Sequence, residues 1–110
     1  MVSDLSLGID IGSETAKIAI IDRQGRLIEK LYLKHSGKPA EVICRILKDI
    51  ICRYKKLRVC FTGVSGRFIA RTVDAPYINE IVSQATATSS FYPDVRTIIE
   101  IGGEDSKLIF

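Results

Sequence analysis

The sequence has no tryptophan, a single histidine and no apolar run long enough to cross a membrane. A transmembrane helix needs about 20 consecutive apolar residues, and the first residues lack the basic and apolar regions of a signal peptide. The net charge of +3 is small and spread along the chain, which argues against a nucleic-acid-binding surface. These absences predict a cytoplasmic protein that binds neither a membrane nor nucleic acid. The 110 residues suffice for one domain with a modest core.

The chain also lacks the residue spacing of a typical metal site. Cys44, Cys52 and Cys60 are eight residues apart and form no Cys-x-x-Cys pair. We therefore expect three small buried hydrophobes in a reducing compartment. His35 stands beside Gly37 in a predicted loop. We expect this histidine to be a solvated loop residue and neither a catalytic base nor a metal ligand.

The polar centre of residues 5–22 is the most informative part of the sequence. It lies between two apolar runs, a pattern that predicts two strands joined by a tight turn. Within it, Gly12 lets a ligand approach the backbone, while Ser13 and Thr15 add hydroxyl groups to the amide donors of the turn. Lys17 adds a positive charge. The stretch is typical of a turn that binds phosphate.

A carboxylate stands immediately before this turn. Asp10 would repel phosphate unless a cation lay between the two groups. Because Mg²⁺ keeps much of its water and needs few protein ligands, the pairing predicts that Asp10 binds Mg²⁺ and takes part in catalysis. From this motif alone, a surface hairpin whose Gly12 and Ser13 only form the turn remains the alternative.

The same pattern occurs again near the C-terminus. Residues 99–109 align without a gap on residues 9–19, and Glu100 takes the place of Asp10. The candidate phosphate-binding residues of this second copy are Gly102, Gly103, Asp105 and Lys107. An internal repeat at this distance predicts two related subdomains whose turns hold a polyphosphate from both sides.

The rest of the chain alternates between strand and helix periodicity. The predicted elements are a strand at 25–34, a helix at 39–54, a strand at 57–62, a short helix at 68–71, an extended edge segment at 73–77 and a helix at 79–90. The strand at 57–62 follows a crossover helix, so we expect it to lie parallel to the first strand. The last helix is expected to turn Ile78, Ile81, Val82 and Ala85 inward.

These motifs resemble those of the acetate and sugar kinase, heat-shock chaperone and actin ATPases. Within that superfamily the sequence is similar to the BadF/BadG/BcrA/BcrD family of ATP-driven activators. The resemblance rests on the opening at residues 8–13, on a Thr-Gly-x-Gly-Arg-like segment at 62–67, and on residues 92–99 with the Gly-Gly turn that follows. It extends from about residue 5 to the last residue.

The resemblance implies an α/β fold of the ribonuclease-H-like, actin-like ATPase type. This subdomain would have a mixed five-stranded sheet and the element order β-β-β-α-β-α-β-α. It would span residues 1–95, and residues 96–110 would begin a second subdomain. The chain stops at Phe110 inside an apolar run, so we expect it to be the N-terminal part of a longer protein and inactive alone.

The function implied by the resemblance couples ATP hydrolysis to electron transfer. An iron-sulfur cluster, [4Fe-4S], would pass a low-potential electron to a 2-hydroxyacyl-CoA dehydratase or a benzoyl-CoA reductase type of enzyme. The full-length protein would be a homodimer, and its cluster cysteines would lie beyond Phe110. The alternatives are a small-molecule kinase that phosphorylates a sugar or an acid, and a non-enzymatic, nucleotide-gated scaffold.

The resemblance also implies roles for the two turns. Asp10 would hold Mg²⁺, Glu100 would orient the attacking water, and the glycines, hydroxyls and lysines of both turns would hold the phosphates of ATP or ADP. The family usually has Asp at the position of Glu100 and Gln at that of Glu104. This departure puts the geometry of the second turn in doubt. The Thr62–Arg67 segment is expected to be mainly a strand-to-helix turn, in which Arg67 is the residue to test.

Overall fold

The computed structural model describes residues 4–54, 56–101 and 106–109. The chain divides into two compact units, one ending at Tyr77 and the other beginning at Ile78. The first contains strands β1 (Leu5–Ile11), β2 (Thr15–Ile21), β3 (Leu27–Lys34) and β4 (Leu57–Thr62) with helices α1 (Pro39–Arg53) and α2 (Gly66–Thr72). The second contains helix α3 (Glu80–Phe91) and strands β5 (Ile98–Ile101) and β6 (Ser106–Ile109).

The first unit is built on a mixed sheet of order β3-β2-β1-β4. β1, β2 and β3 form an antiparallel meander, whereas β4 lies parallel to β1 after the crossover through α1. The predicted α/β class, the meander and the parallel fourth strand are confirmed. The sheet puts the carboxyl end of β1 beside that of β4, since Asp10 is in register with Thr62.

The predicted edge segment at 73–77 forms a single bridge instead of a full fifth strand. Tyr77 pairs in parallel with Phe61, whose amide donates to the carbonyl of Pro76 at 2.9 Å. Two local features explain why the pairing stops there. Pro76 has no amide hydrogen to donate, and Asp74 has a φ of 58°, which is incompatible with an extended strand.

Alternation along the strands places the core on one face of the sheet. Leu5, Leu7, Ile9 and Ile11 of β1 are buried, whereas the residues between them are partly or fully exposed. Ile43 and Ile50 of α1 and Ile69 of α2 belong to the same buried cluster. Since side chains alternate between faces, Asp10, Lys17 and Thr62 lie on the face opposite to the core.

Helix α1 confirms the helix expected from its periodicity. Pro39 lies in its first turn, where the missing amide hydrogen costs nothing, and the buried side chains Val42, Ile43 and Ile50 share one face. Its two cysteines correct the sequence-based expectation, because Cys44 and Cys52 are exposed and only Cys60, in β4, is partly buried. Apolar residues occupy the inward positions of α1, and both cysteines lie at outward positions of the helix.

The second unit contains a capped helix and a hairpin. The Asn79 side chain accepts a 2.7 Å hydrogen bond from the amide of Ile81, which confirms the predicted helix cap. The expectation that Ile78, Ile81 and Val82 are turned inward is wrong, because all three side chains are exposed and α3 buries no residue. Among the described residues, no helix is long and apolar enough to span a membrane.

Candidate functional site

The first hairpin brings an acid and an amine together at the mouth of its turn. Asp10 and Lys17 are paired across β1 and β2, and Lys17 Nζ lies 3.6 Å from Asp10 Oδ2. The same ammonium donates to Thr15 Oγ1 at 3.2 Å. Both charged side chains are slightly more than one third exposed, so solvent and ligands can reach them. Three of the predicted site residues therefore converge in the structure.

The turn also presents backbone donors. The amide of Gly12 donates to the carbonyl of Thr15 at 2.9 Å, which closes the turn. Among the hydrogen bonds of the described residues, none uses the amide hydrogen of Ser13 or Glu14. Two adjacent amide donors beside a lysine ammonium are groups that can bind phosphate oxygens.

The end of β4 forms the other side of the site. Gly63 has a φ of 95°, and a Cβ atom there would lie 2.6 Å from Asp10 Oδ1 and still closer to the carbonyl oxygen of Ile11. Ser65 donates its amide hydrogen to that same carbonyl at 3.0 Å. The loop after β4 is thus packed directly against Asp10. Only glycine allows this approach, because any side chain would displace the carboxylate or the backbone.

Thr62 is a site residue that sequence reasoning missed. It is the register neighbour of Asp10 on the same face of the sheet, and its Oγ1 atom is buried without a hydrogen-bond partner in the described protein. A buried hydroxyl without a partner costs free energy unless a ligand or water satisfies it. In the sequence it opens the segment at 62–67, which was interpreted mainly as a strand-to-helix turn. Its pairing with Asp10 becomes visible only in the sheet.

Arg67 is held by an aromatic ring. Its guanidinium lies 4.5 Å from the centroid of the Tyr77 ring, and the Tyr77 hydroxyl donates to the Gly63 carbonyl at 2.9 Å. Tyr77 therefore links the loop beside Asp10 to the first turns of α2. This arrangement is consistent with the predicted strand-to-helix turn, in which Arg67 stacks against the protein.

His35 also differs from the sequence-based expectation. It is not a solvated loop residue, because its exposure is only 3%. Its Nε2 atom lies 2.8 Å from the Gly12 carbonyl oxygen, and its backbone amide donates to the Glu14 carbonyl at 3.1 Å. The nearby Gly37 suggested a solvated loop. Instead, His35 directly follows β3 and is buried against the first hairpin turn, which is predicted to bind phosphate.

The second hairpin repeats the backbone register of the first. Glu100 pairs with Lys107, as Asp10 pairs with Lys17, and the flanking pairs correspond as well. The internal repeat read from the sequence is therefore matched by strand pairing. For Glu100 and Lys107 the structure describes the backbone alone. The other predicted residues of this turn, Gly102, Gly103 and Asp105, lie outside the described residues.

The residues around Asp10 fit a hydrated Mg²⁺. This ion binds through one or two carboxylates together with water and substrate phosphates, so one accessible carboxylate suffices. The described residues contain no group of three or more His, Cys, Asp or Glu side chains that could enclose a metal. A fully protein-bound ion is thus not supported by those residues.

With its mixed sheet of order β3-β2-β1-β4 and the hairpin that pairs Asp10 with Lys17, this domain has the ribonuclease-H-like, actin-like fold that its motifs imply. Two crystal structures of activators share that fold. The Acidaminococcus fermentans (R)-2-hydroxyglutaryl-CoA dehydratase component A superimposes with a TM-score of 0.79 at 26% identity, over 96% of this chain and 42% of that one. The Clostridium difficile activator of 2-hydroxyisocaproyl-CoA dehydratase with bound ADPNP gives 0.74 at 28% identity, over 94% and 40%.

The sequence comparison agrees with the structural one. The activator of lactoyl-CoA dehydratase from Anaerotignum propionicum is 33% identical over 94% of this chain and 41% of its own length. No family model matches the chain. The chain is similar to activators of 2-hydroxyacyl-CoA dehydratases over nearly its whole length, as its motifs predict, and it spans about two fifths of their length.

Proposed function

We propose that this chain is the N-terminal part of an ATP-dependent activator of a 2-hydroxyacyl-CoA dehydratase or a related reductase. The observation that carries the proposal is the cluster of Asp10, Lys17 and Thr62 beside the free amides of the first turn. The relatives supply the reaction class, because they are named as activating ATPases and activators of such dehydratases. One of the similar crystal structures contains ADPNP, an ATP analogue.

Each residue of the first hairpin has a distinct role in this proposal. Asp10 holds Mg²⁺, which offsets the charge of the phosphates during transfer. The amides of Ser13 and Glu14 and the hydroxyls of Ser13 and Thr15 bond phosphate oxygens at the position opened by Gly12. When nucleotide binds, Lys17 is close enough to both Asp10 and the turn to neutralise the added negative charge. Thr62 lies beside Asp10 in the sheet, at the edge of the metal site.

The second hairpin has a parallel role. Glu100 orients the attacking water, and the residues that bind phosphate are Gly102, Gly103, Asp105 and Lys107. Glutamate is one methylene longer than the aspartate usual in the resembled family. Because transfer depends on positioning to within fractions of an ångström, this turn is retuned relative to that family.

The remaining parts of the proposal concern the longer protein. We propose that it is a homodimer holding a [4Fe-4S] cluster with cysteines outside this chain, and that nucleotide hydrolysis drives electron transfer from that cluster. We assign it to the cytoplasm. This chain would provide binding and orientation of phosphates, whereas the electron-transfer chemistry would belong to the cluster.

The decisive experiment uses the full-length protein and the Asp10→Asn variant. We expect the variant to hydrolyse Mg-ATP about 100-fold more slowly or worse, because a bound metal lowers the barrier by several kcal/mol. Asp4→Asn is the matched control, since Asp4 only pairs with the exposed Arg23 at 3.7 Å. Equal hydrolysis by the two variants would contradict the proposal. Phosphate transfer to a sugar or acid, without electron transfer to a dehydratase, would favour the kinase alternative.

A further inference from the structure

The ring of His35 bridges two backbone groups. Gly37 donates its amide hydrogen to Nδ1 at 3.2 Å, and Nε2 lies 2.8 Å from the Gly12 carbonyl oxygen. A carbonyl can only accept a hydrogen bond, so Nε2 must carry the hydrogen. The amide of Gly37 can only donate, so Nδ1 must be unprotonated. These two contacts together select the neutral Nε2–H tautomer.

The hydrogen bond to Gly12 sets the direction of the next peptide group. In a planar trans peptide, the carbonyl of one residue and the amide hydrogen of the next point in opposite directions. The Gly12 carbonyl points to His35, so the Ser13 amide hydrogen must point away from the buried imidazole. Gly12 has no Cβ, and a peptide beside glycine rotates more readily than others. Without a partner for its carbonyl, this peptide could turn its amide hydrogen away from a ligand.

His35 also restrains the far side of the turn. Its own amide hydrogen binds the Glu14 carbonyl at 3.1 Å, directly after the β2 and β3 pairing of Thr15 with Lys34. One buried residue therefore contacts the turn at Gly12 through its side chain and at Glu14 through its backbone. The side-chain contact is the one that a substitution can remove.

We propose that His35 is a positioning residue for phosphate binding, which acts by orienting the Gly12–Ser13 peptide so that the Ser13 amide faces the phosphate. The inference rests on the proposed function of the hairpin, and it adds a residue with no direct contact to the ligand. The effect is preorganisation, because the donor is fixed in its binding direction before the nucleotide arrives.

The test compares two substitutions of similar size in the full-length protein. His35→Gln keeps a side-chain N–H that can reach the Gly12 carbonyl, whereas His35→Leu removes the donor. We expect His35→Leu to bind Mg-ADPNP roughly tenfold more weakly, which corresponds to the loss of one buried hydrogen bond. His35→Gln should recover most of that affinity. Lys38→Ala serves as the control, because the Lys38 side chain is exposed and makes no capping hydrogen bond to α1.

Further readouts separate positioning from general destabilisation. Thermal melting of each variant shows whether it is folded at the binding temperature. In ¹⁵N-labelled wild-type protein, the His35 ring should carry its hydrogen on Nε2, and the Ser13 amide should shift when Mg-ADPNP is added. A hydrogen on Nδ1, or a Ser13 amide that does not respond, would overturn the inference.

The outcomes also distinguish this inference from the proposed function. If wild type binds Mg-ADPNP and His35→Leu binds equally well, the positioning role is wrong while the nucleotide site stands. Equal weakening of the Gln and Leu variants would likewise overturn the role, since the hydrogen-bond donor would then be irrelevant. If wild type binds no Mg-ADPNP, the proposed function fails and the inference fails with it.

Discussion

At the scale of single residues, Gly63 shows how closely the site is built. Two strands end side by side there, and the carbonyl of Ile11 and the carboxylate of Asp10 occupy the space in which a side chain would lie. The positive φ of 95° adds a second reason for glycine. The position therefore couples the stability of the loop to the placement of the proposed metal ligand.

A comparison of Gly63→Ala with Gly25→Ala should separate the cost of the positive φ from the cost of the steric clash. Gly25 has a similar φ of 82°, but a Cβ atom there would meet nothing within 4 Å. We expect Gly25→Ala to cost about 1–2 kcal/mol, the penalty for a left-handed L-residue. Gly63→Ala should cost about 3 kcal/mol or more, because a steric clash is added. Urea unfolding of both variants gives the comparison, and equal costs would contradict the proposed crowding at Asp10.

The separation of the site residues along the chain explains which of them could be predicted from the sequence. Asp10, Ser13 and Lys17 belong to one short stretch, so their spacing alone predicted a common site. Strand pairing brings Thr62 beside Asp10, which is 52 residues earlier in the chain. It also brings His35 to Gly12, which is 23 residues earlier. Thr62 belongs to the segment at 62–67 that was noted in the sequence, but nothing local shows that it lies beside Asp10, and no local pattern marks His35. The buried histidine in particular depended on where the chain turns after β3.

At the scale of elements, a charged cluster fastens β3 to α1. Arg53 donates to both carboxylate oxygens of Glu29, at 2.7 and 2.9 Å, and Tyr54 donates to the same carboxylate at 2.7 Å. Hydrogen bonds from Arg53, and then from Tyr54, lower the pKa of Glu29 to about 2 from its ordinary value of 4.5. The ionised form is therefore the one that the folded state stabilises.

This shift predicts a pH window for the stability of the first unit. Because the folded pKa lies below the ordinary one, the stabilisation from Glu29 is complete above about pH 4.5 and is lost as the pH falls towards 2. Glu29→Gln should lower the melting temperature at pH 7, and its difference from wild type should shrink within that window. The effect should be modest, since the pair is partly exposed and screened by solvent.

The control for this prediction is a second carboxylate, that of Asp49, which also binds the guanidinium of Arg53. Asp49 accepts a 3.0 Å hydrogen bond from Arg53, but it lies four residues away on α1 and joins no second element. Asp49→Asn should therefore change the melting temperature less than Glu29→Gln does. If the two variants were indistinguishable at pH 7, the Glu29 contact would not be what fastens β3 to α1.

Sequence periodicity predicted most elements because their buried faces are regular. α1 and β4 have apolar residues at clear helical and strand spacing, and the structure has both elements within a few residues of the predicted ends. The segment at 73–77 was harder, because its pairing is limited by Pro76 and by the backbone of Asp74. The inward face expected for α3 was wrong, since periodicity marks an apolar side without showing what covers it.

At the scale of the whole molecule, the clearest feature is that two hairpins repeat the same pattern. Each pairs an acid with a lysine at the same register, and each follows the same order of residue types. The chain nevertheless spans only about two fifths of the length of the activators to which it is similar. We therefore propose that much of the nucleotide contact in the full-length protein comes from segments outside this chain.

That proposal predicts a large difference in nucleotide affinity between this chain alone and the full-length protein. Ligand sites of ordinary affinity bury most of the ligand surface in a concave pocket, whereas the described first hairpin offers a partly exposed carboxylate, a lysine and two amides. These groups can bond phosphate oxygens, but they provide no apolar surface for the adenine ring. Calorimetric titration with Mg-ATP should therefore give weak or undetectable binding to residues 1–110 and clear binding to the full-length protein. A cooperative melting transition of the 110-residue chain would show that it is folded during the titration, and sub-micromolar affinity of that folded chain would contradict the proposal.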